Sequence, residues 1–284
     1  MHTVNKTSSY FIELEEKYGA HNYHPLPVVL EKGKGVFVWD VEGKKYYDFL
    51  SAYSAVNQGH SHPKIVDALV NQAQKLALTS RAFYNANLGE YEKKITELFG
   101  FDKVLPMNSG AEAVETAIKL ARKWSYEVKG IPQNAAKIVV CENNFHGRTT
   151  TIVSFSNDPD ANNNYGPFTP GFIKIPYNNL KALEETLAND SENIAAFLVE
   201  PIQGEAGVYV PDEGFLKSAS ELCKKYNVLF IADEVQTGIA RTGKLIACHH
   251  ENVQPDILIL GKALSGGMYP VSAVLADDEI MNVI

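Results

Sequence analysis

The chain has 284 residues, of which 45% are hydrophobic and 21% charged, and its net charge at pH 7 is -8. These values are typical of a folded globular protein and exclude a disordered, collagen-like or coiled-coil class. The acidic balance argues against a nucleic-acid or anionic-membrane partner, because both require clustered Lys and Arg. We therefore expect small-molecule chemistry, with no nucleic acid and no membrane involved.

The cellular compartment can be inferred from the cysteines and the amino terminus. Cys141, Cys223 and Cys248 are widely spaced, which favours reduced, buried thiols over a disulfide framework. The segment up to His21 has no apolar signal region and no Arg-rich stretch, and no apolar run approaches the roughly 20 residues of a membrane span. These features predict a cytoplasmic location.

The hydrophobic pattern changes along the chain. Residues 28–49 alternate apolar and polar positions, which predicts a small antiparallel sheet. Residues 63–77 have helical periodicity, and Asn87 with Glu90 predicts a capping box for the next helix. From residue 103 onward, short apolar strands such as KIVVC, AAFLVE and ILILGK alternate with helices. This order predicts an α/β fold with a mostly parallel, seven-stranded sheet flanked by helices.

Ligands of parallel sheets bind at the carboxyl ends of the strands. Polar residues follow several of the predicted strands. Ser109 and Gly110 come after VLPMN, Glu200 after AAFLV, Asp233 after LFIA, and Lys262 after ILILG. The sequence therefore predicts that an amine, a carboxylate and a helix start meet at one edge of the sheet.

Lys262 and Asp233 together indicate a cofactor. A single strand-end lysine usually reaches solvent, but a buried one needs a lowered pKa or a covalent imine. Asp233 ends another apolar strand, where an unpartnered carboxylate is costly. A protonated pyridine nitrogen is a suitable partner, because two unit charges at about 4 Å attract by about 4 kcal/mol at an effective dielectric near 20. The pair predicts pyridoxal 5'-phosphate (PLP), bound by Lys262 as a Schiff base.

Two further segments are consistent with this cofactor. Ser109, Gly110 and Ala111 lead into a predicted helix, whose start favours a phosphate, although a plain capped helix has the same pattern. Phe145 and Arg148 lie in a loop, where the ring could stack on a planar cofactor and the guanidinium could bind a carboxylate. A solvated surface loop is the alternative for these two residues.

Other kinds of site find little support. The sequence lacks the G-x-S-x-G elbow of serine hydrolases and the P-loop motif of nucleotide-binding proteins. His146 has no ligand partner at metal-site spacing, so no metal site is predicted. A nucleotide-binding α/β protein, with Gly110 at a nucleotide phosphate, remains a weaker alternative.

Five segments, NSGAEAVETAIKLAR, FHGRT, EPIQGEAG, FIADEVQTGIARTGK and LGKALSGGMYP, resemble the class III, fold-type I PLP-dependent aminotransferases. Within that family, YGAHNYHPLPVVL and FLSAYSAVNQGHSHP are similar to members that use ornithine as amino donor and 2-oxoglutarate as acceptor. The resemblance implies δ-amino transfer through PLP to give glutamate 5-semialdehyde and glutamate. It also implies a homodimer with shared active sites and a place in amino-acid metabolism, including proline biosynthesis.

The resemblance assigns cofactor roles to matching residues. Lys262 would anchor PLP and shuttle a proton, and Asp233 would pair with the pyridine nitrogen. Gln236 would contact the phenolic oxygen of the ring and Phe145 would stack on it. The cofactor-binding residues implied at the phosphate are Ser109, Gly110 and Ala111, the last two as backbone N–H donors.

The resemblance also assigns substrate roles. Tyr23 and Arg148 would bind the α-carboxylate of ornithine, and Tyr53 would line the same pocket. Glu205 would pair with an arginine in one half-reaction and release it to bind 2-oxoglutarate in the other. Glu200 would support the site from behind.

Family members are longer than this chain, which suggests a division into domains. Residues 1–56 would contribute to a small α+β domain and residues 57–284 would form the PLP-binding large domain. The rest of the small domain and the arginine partner of Glu205 would lie beyond Ile284. Two alternatives stay open: another class III ω-aminotransferase, of the acetylornithine or 4-aminobutyrate type, and a catalytically incomplete fragment that binds at most cofactor or a partner subunit.

Overall fold

The computed structural model describes residues 6–284, so the first five residues of the predicted small-domain segment lie outside the described residues. The described chain forms two compact units. One runs to Ala77 and includes Gly266–Met268, and the other comprises Leu78–Ser265 and Tyr269–Ile284. Within residues 6–284, no helix is both long and apolar enough to cross a membrane.

The first unit contains a small antiparallel sheet and helical segments. Its elements are α1 (Ser8–Tyr18), β1 (Leu30–Lys34), β2 (Phe37–Asp40), β3 (Lys45–Tyr47), α2 (Ser51–Ser54) and α3 (Pro63–Lys75). Strand β2 pairs with both neighbours in antiparallel fashion, which confirms the sheet predicted for residues 28–49. The backbone of α2 has φ values between 46° and 76°, a left-handed conformation that non-glycine residues rarely adopt. Tyr53 lies in this turn.

The second unit contains the large sheet. Its strands are β4 (Lys103–Met107), β5 (Lys137–Cys141), β6 (Phe172–Ile175), β7 (Ile194–Val199), β8 (Leu229–Asp233), β9 (Ile257–Leu260) and β10 (Ser272–Ala276). They are arranged in the order β4-β10-β9-β8-β7-β5-β6. Strand β10 is antiparallel to β4 and β9, and the other pairings are parallel. The predicted mostly parallel, seven-stranded α/β fold is therefore confirmed.

Helices connect these strands. The α-helices of the second unit are α4 (Leu88–Phe99), α5 (Gly110–Trp124), α6 (Thr150–Val153), α7 (Pro159–Asn162), α8 (Leu180–Asp190), α9 (Phe215–Lys225) and α10 (Asp278–Met281). A π-helical turn (Ser125–Lys129) extends α5, and 3-10 turns occupy Ser191–Asn193, Ala247–Glu251 and Lys262–Ser265.

The inner strands of the large sheet are buried on both faces. Along β7, Phe197 and Val199 join one hydrophobic cluster, whereas Ala196 and Leu198 join the other. This alternation follows from the two-residue period of a strand, and the uninterrupted apolar sequence of β7 is what a strand covered on both faces requires. Polar groups are consequently displaced to the ends of the strands, where the predicted site residues lie.

One predicted local feature is wrong. Asn87 stands at the start of α4, but its side chain makes no capping hydrogen bond and its backbone is in the α region rather than the extended one. The N–H groups of Asn87 and Leu88 instead donate to Oδ1 of Asn85, at 3.0 and 2.9 Å. An earlier asparagine therefore supplies the acceptor that the sequence pattern assigned to Asn87, and the capping box with Glu90 is not formed.

Candidate active site

A cavity of about 210 Å³ lies among residues that follow strands β7, β8 and β9. It brings together most of the residues that the sequence predicted for the cofactor. Those that line it are Gly110, Ala111, Phe145, Asp233, Gln236 and Lys262, together with Glu205 and Glu200. The edge of the sheet thus contains the predicted amine, carboxylate and helix start in one place.

Lys262 enters this cavity from an unusual backbone position. It follows the wholly buried strand β9 and Gly261, and its φ of 42° lies in the left-handed region. Strain of this kind in a residue other than glycine is found most often at functional sites. Burial lowers the pKa of the Lys262 amine, although the charges of Glu205, Asp233 and Glu200 act in the opposite direction. A lowered pKa leaves more of the amine neutral, which is the form that acts as a nucleophile.

Asp233 ends β8 and is only 6% exposed. One carboxylate oxygen, Oδ1, accepts the N–H of Val235 at 3.1 Å. The other, Oδ2, lies 2.6 Å from Nδ1 of His146, which is also buried. Since a carboxylate only accepts hydrogen bonds, Nδ1 is the donor. His146 is therefore part of the site, although the sequence assigned it no role.

Glu200 follows β7 and lies beside the same cavity. It is 8% exposed, and its Oε2 accepts the N–H of Phe145 at 3.0 Å. Burial raises the pKa of Glu200 to about 7, while the charge of His146 opposes the rise. The hydrogen bond fixes the backbone of the loop that carries Phe145, His146 and Arg148.

The predicted phosphate end of the site is the start of α5. Ser109 caps this helix and forms a capping box with Glu112: the N–H of Glu112 donates to Oγ of Ser109 at 3.2 Å, and the N–H of Ser109 donates to Glu112 Oε2 at 2.8 Å. Ser109 is not among the residues that line the cavity, whereas Gly110 and Ala111 are. The first N–H groups of a helix have no intrahelical acceptor, so the described geometry offers the backbone of Gly110 and Ala111 to an anion.

Gln236 and Glu205 occupy adjoining loops. Nε2 of Gln236 donates to Oε1 of Glu205 at 3.3 Å, and both side chains line the cavity. Glu205 is exposed, unlike Asp233 and Glu200. The cavity therefore has one accessible carboxylate in addition to the two buried ones.

The remaining predicted substrate residues have different surroundings. Arg148 is exposed, and its guanidinium carbon lies 5.8 Å from the centre of the Phe145 ring. Tyr23 and Tyr53 belong to the other compact unit, where they are 58% and 49% exposed. Of the predicted substrate residues in the second unit, Glu205 lines the cavity and Arg148 does not.

Comparison with known proteins supports these observations. The family model for aminotransferase class-III matches residues 18–284. The mitochondrial ornithine aminotransferase of Drosophila melanogaster is 70% identical over 94% of this chain and 62% of its own length. The chain thus spans less than two thirds of that relative.

Two solved structures are closely similar. One, named acetylornithine aminotransferase, from Elizabethkingia anophelis, is 78% identical with a TM-score of 0.88, and the match covers 98% of this chain and 66% of that one. The other, an ornithine aminotransferase from Toxoplasma gondii with PLP at partial occupancy in its active site, is 53% identical with a TM-score of 0.97; the match covers 99% of this chain and 65% of that one. The chain belongs to the class-III aminotransferase family.

Proposed function

We propose that this chain belongs to an enzyme that uses PLP to transfer the δ-amino group of ornithine to 2-oxoglutarate, giving glutamate 5-semialdehyde and glutamate. One observation carries the proposal: Lys262, the buried carboxylate of Asp233 and the start of α5 all line a single cavity. The family and the names of the similar proteins support the reaction class and the amino donor.

The residues present fit the cofactor. Lys262 would hold its aldehyde carbon, and Asp233, with both oxygens already fixed by Val235 and His146, would hold its pyridine nitrogen. The backbone of Gly110 and Ala111 would hold its phosphate at a helix start. Phe145 and Gln236 would contact the ring, and Ser109 would act through its capping of the helix. When bound, PLP supplies an electron sink that stabilises negative charge on the substrate carbon.

The side chains around the cofactor would transfer protons and balance charge. Because burial lowers the pKa of Lys262, the neutral Nζ could take a proton from the substrate carbon that bears the amino group and, as the resulting ammonium, return it to a neighbouring carbon, first as a general base and then as a general acid. The carboxylate of Asp233 would favour the protonated form of the cofactor's pyridine nitrogen, because opposite charges attract at short range. Glu205, which is exposed and hydrogen-bonded to Gln236, would pair with an arginine in one half-reaction and release it to bind 2-oxoglutarate in the other.

Substrate recognition is assigned to Tyr23, Arg148 and Tyr53. The first two would bind the α-carboxylate of ornithine, so that the δ-amine is the reacting group, and Tyr53 would line the pocket. A second candidate donor is N-acetylornithine, because the structure that is 78% identical bears the name acetylornithine aminotransferase. N-acetylornithine carries a neutral acetamide where ornithine carries the α-ammonium group. Direct competition between the two donors therefore shows which of these groups the site prefers.

The wider setting is also a proposal. We propose that residues 1–56 contribute to a small domain, residues 57–284 form the PLP-binding domain, and two subunits share their active sites. The semialdehyde product suits a pathway that closes a ring, such as proline biosynthesis. A cytoplasmic location stays a prediction from the sequence, and the Drosophila relative is named as mitochondrial.

Borohydride reduction followed by peptide mapping tests the cofactor assignment. We expect a phosphopyridoxyl label on Lys262, and no label at this position in Lys262→Ala. A label on another lysine, or none in a folded protein incubated with PLP, would refute the assignment. A label without turnover would support the alternative of a catalytically incomplete fragment.

The substrate assignment requires kcat/KM values for ornithine, N-acetylornithine and 4-aminobutyrate, each with 2-oxoglutarate. We expect ornithine to be preferred by at least about 10-fold, a difference that corresponds to about 1.4 kcal/mol. A preference for N-acetylornithine would establish the second candidate. Arg148→Ala should raise KM for ornithine much more than Arg148→Lys does, since only a guanidinium offers a bidentate fork.

A further inference from the structure

His146 and Asp233 form a buried pair in the second unit. Their side chains are 1% and 6% exposed, and Nδ1 of His146 lies 2.6 Å from Oδ2 of Asp233. Because Oδ1 already accepts the N–H of Val235, both oxygens of the carboxylate are fixed. Within residues 6–284, the donors that set the orientation of Asp233 are therefore the backbone N–H of Val235 and the side chain of His146.

The other ring nitrogen of His146 has a different environment. Nε2 is buried, and no hydrogen-bond partner for it occurs in the part of the chain that the structure describes. His146 lines the 210 Å³ cavity and also a second cavity of about 320 Å³. Since Nδ1 donates to Asp233, Nε2 is the remaining polar atom of the ring, and its burial keeps it out of contact with solvent.

A second buried polar atom belongs to the same region. Asn144 also lines the 320 Å³ cavity. Its Nδ2 donates to the carbonyl oxygens of Cys141 and Phe155, whereas its Oδ1 is buried and lacks a hydrogen-bond partner within residues 6–284. Buried polar groups of this kind normally bind ordered water. Nε2 of His146 and Oδ1 of Asn144 are thus two buried polar atoms, without a partner in the described chain, that belong to residues lining the same cavity.

The charges around His146 are mainly negative. Asp233 contacts the ring, and the charge of Glu200 acts on it. Lys262 also lines the first cavity, and Asp158 and Glu205 line the second cavity. Burial acts to lower the pKa of His146, but the hydrogen bond and charge of Asp233 and the charge of Glu200 outweigh it, so the pKa is raised above 6.5. The doubly protonated ring, a donor at both nitrogens, is consequently favoured.

We propose that His146 is a positioning residue for the reaction: it fixes the Asp233 carboxylate and balances its charge. The inference rests on the proposed function, because the group that Asp233 would meet is the ring nitrogen of the cofactor. His146 itself touches neither cofactor nor substrate in this role. It acts through the orientation and the charge of Asp233.

Nitrogen-15 NMR of histidine-labelled chain without added PLP tests the charge state directly. Titration between about pH 5 and 9 covers the range in which an imidazole changes charge, and His146→Asn identifies the signal by its disappearance. We expect the pH at which the His146 ring is half charged to lie above 6.5, the ordinary value for an imidazole. A midpoint at or below 6.5 would overturn the proposal, whether or not PLP binds.

Two variants test the consequence for the cofactor. His146→Phe retains a flat ring but removes the donor, whereas the amide nitrogen of His146→Asn can take the place of Nδ1. We expect His146→Phe to weaken PLP binding on the order of 10- to 100-fold, as the loss of a hydrogen bond to a charged group predicts, and to shift the pH at which the cofactor absorbance changes. His146→Asn should recover most of the affinity but not the pH profile.

The exposed His250, whose Nε2 contacts the carbonyl oxygen of Thr242, provides the control. His250→Asn should change neither the PLP affinity nor the pH at which the cofactor absorbance changes. Equal affinity and identical absorbance profiles in His146→Phe and the unaltered chain would overturn the proposal. If the unaltered chain failed to bind PLP, the proposed function would fail, and the NMR titration would still decide the role of His146 toward Asp233.

Discussion

A β-carbon built on Gly204 would overlap Oε1 of Gln236. Gly204 belongs to the loop that follows β7, and Gln236 to the turn that follows β8, so two neighbouring strand ends approach closely at this point. The close approach allows Nε2 of Gln236 to donate to Glu205 at 3.3 Å. The absence of a side chain at position 204 therefore positions two of the residues that line the cavity.

We expect Gly204→Ala to displace the carboxamide of Gln236 and to break its hydrogen bond with Glu205. The end of a glutamine side chain moves easily, so the free energy of unfolding should change little. PLP affinity, measured by absorbance titration, should fall by about 10-fold if Gln236 contributes one net hydrogen bond of typical strength to the cofactor.

Gly89→Ala is a matched control, because nothing lies within 4 Å of a β-carbon at this position in α4. It should leave PLP binding unchanged and stabilise the helix by up to about 1 kcal/mol. If Gly204→Ala bound PLP as tightly as the Gly89→Ala control does, the positioning of Gln236 would be irrelevant to cofactor binding.

Lys262 should react with amine reagents at a lower pH than an ordinary lysine. Its pKa is lowered by burial, so its labelling midpoint in competitive reductive methylation should fall below the usual value of about 10.4. Asp233→Asn or Glu205→Gln should move the midpoint further down, because each removes a negative charge that raises the pKa. A midpoint at or above that of the exposed lysines in the same digest would contradict the prediction.

Glu200 should make the protein less stable as the pH rises. The pKa of Glu200 is about 7 in the folded state, against 4.5 for an ordinary glutamate. The folded chain therefore holds this proton more tightly than the unfolded chain does. The stability that results is fully present below pH 4.5 and is lost as the pH rises through 7. Glu200→Gln keeps an acceptor for the N–H of Phe145 and removes the titration. The free energy of unfolding of the variant should equal that of the unaltered chain near pH 4 and exceed it near pH 8 by up to roughly 3 kcal/mol.

Urea unfolding at several pH values measures this difference. Glu185→Gln is the control, because Glu185 forms an exposed ion pair with Lys181 and such pairs contribute less than about 1 kcal/mol. A Glu200→Gln variant that is less stable than the unaltered chain near pH 8 would show that the charged form of Glu200 is needed by the fold.

Much of the site could be predicted because its main residues lie at the ends of apolar strands or just beyond them. Asp233 and Lys262 stand next to runs whose burial on both faces is evident from composition alone. His146 could not be recognised in the same way. It lies in a loop, and its partner Asp233 is 87 positions away, so only the folded sheet brings the two together. The left-handed φ of Lys262 could not be predicted either, because the sequence has a lysine rather than a glycine at this position.

Local chemistry was harder to predict than topology. Asn87 and Asn85 are both suitable caps for α4, and only the backbone conformation decides between them. Ser109 similarly suits either a helix cap or a phosphate ligand. Its hydroxyl accepts from Glu112, which favours the cap, and its place among the cofactor-binding residues remains a prediction.

Ser109→Ala and Ser109→Thr distinguish these two roles. Threonine keeps an oxygen that can accept the N–H of Glu112, whereas alanine removes it, so only Ser109→Ala should lose about 1 kcal/mol of unfolding free energy. If Ser109 acts as a cap alone, PLP should bind Ser109→Ala with nearly the same affinity under conditions in which both proteins are fully folded. A loss of affinity of more than about 10-fold without a change in stability would instead assign the hydroxyl to the cofactor, because a side chain cannot weaken the phosphate site through the helix while leaving the helix intact.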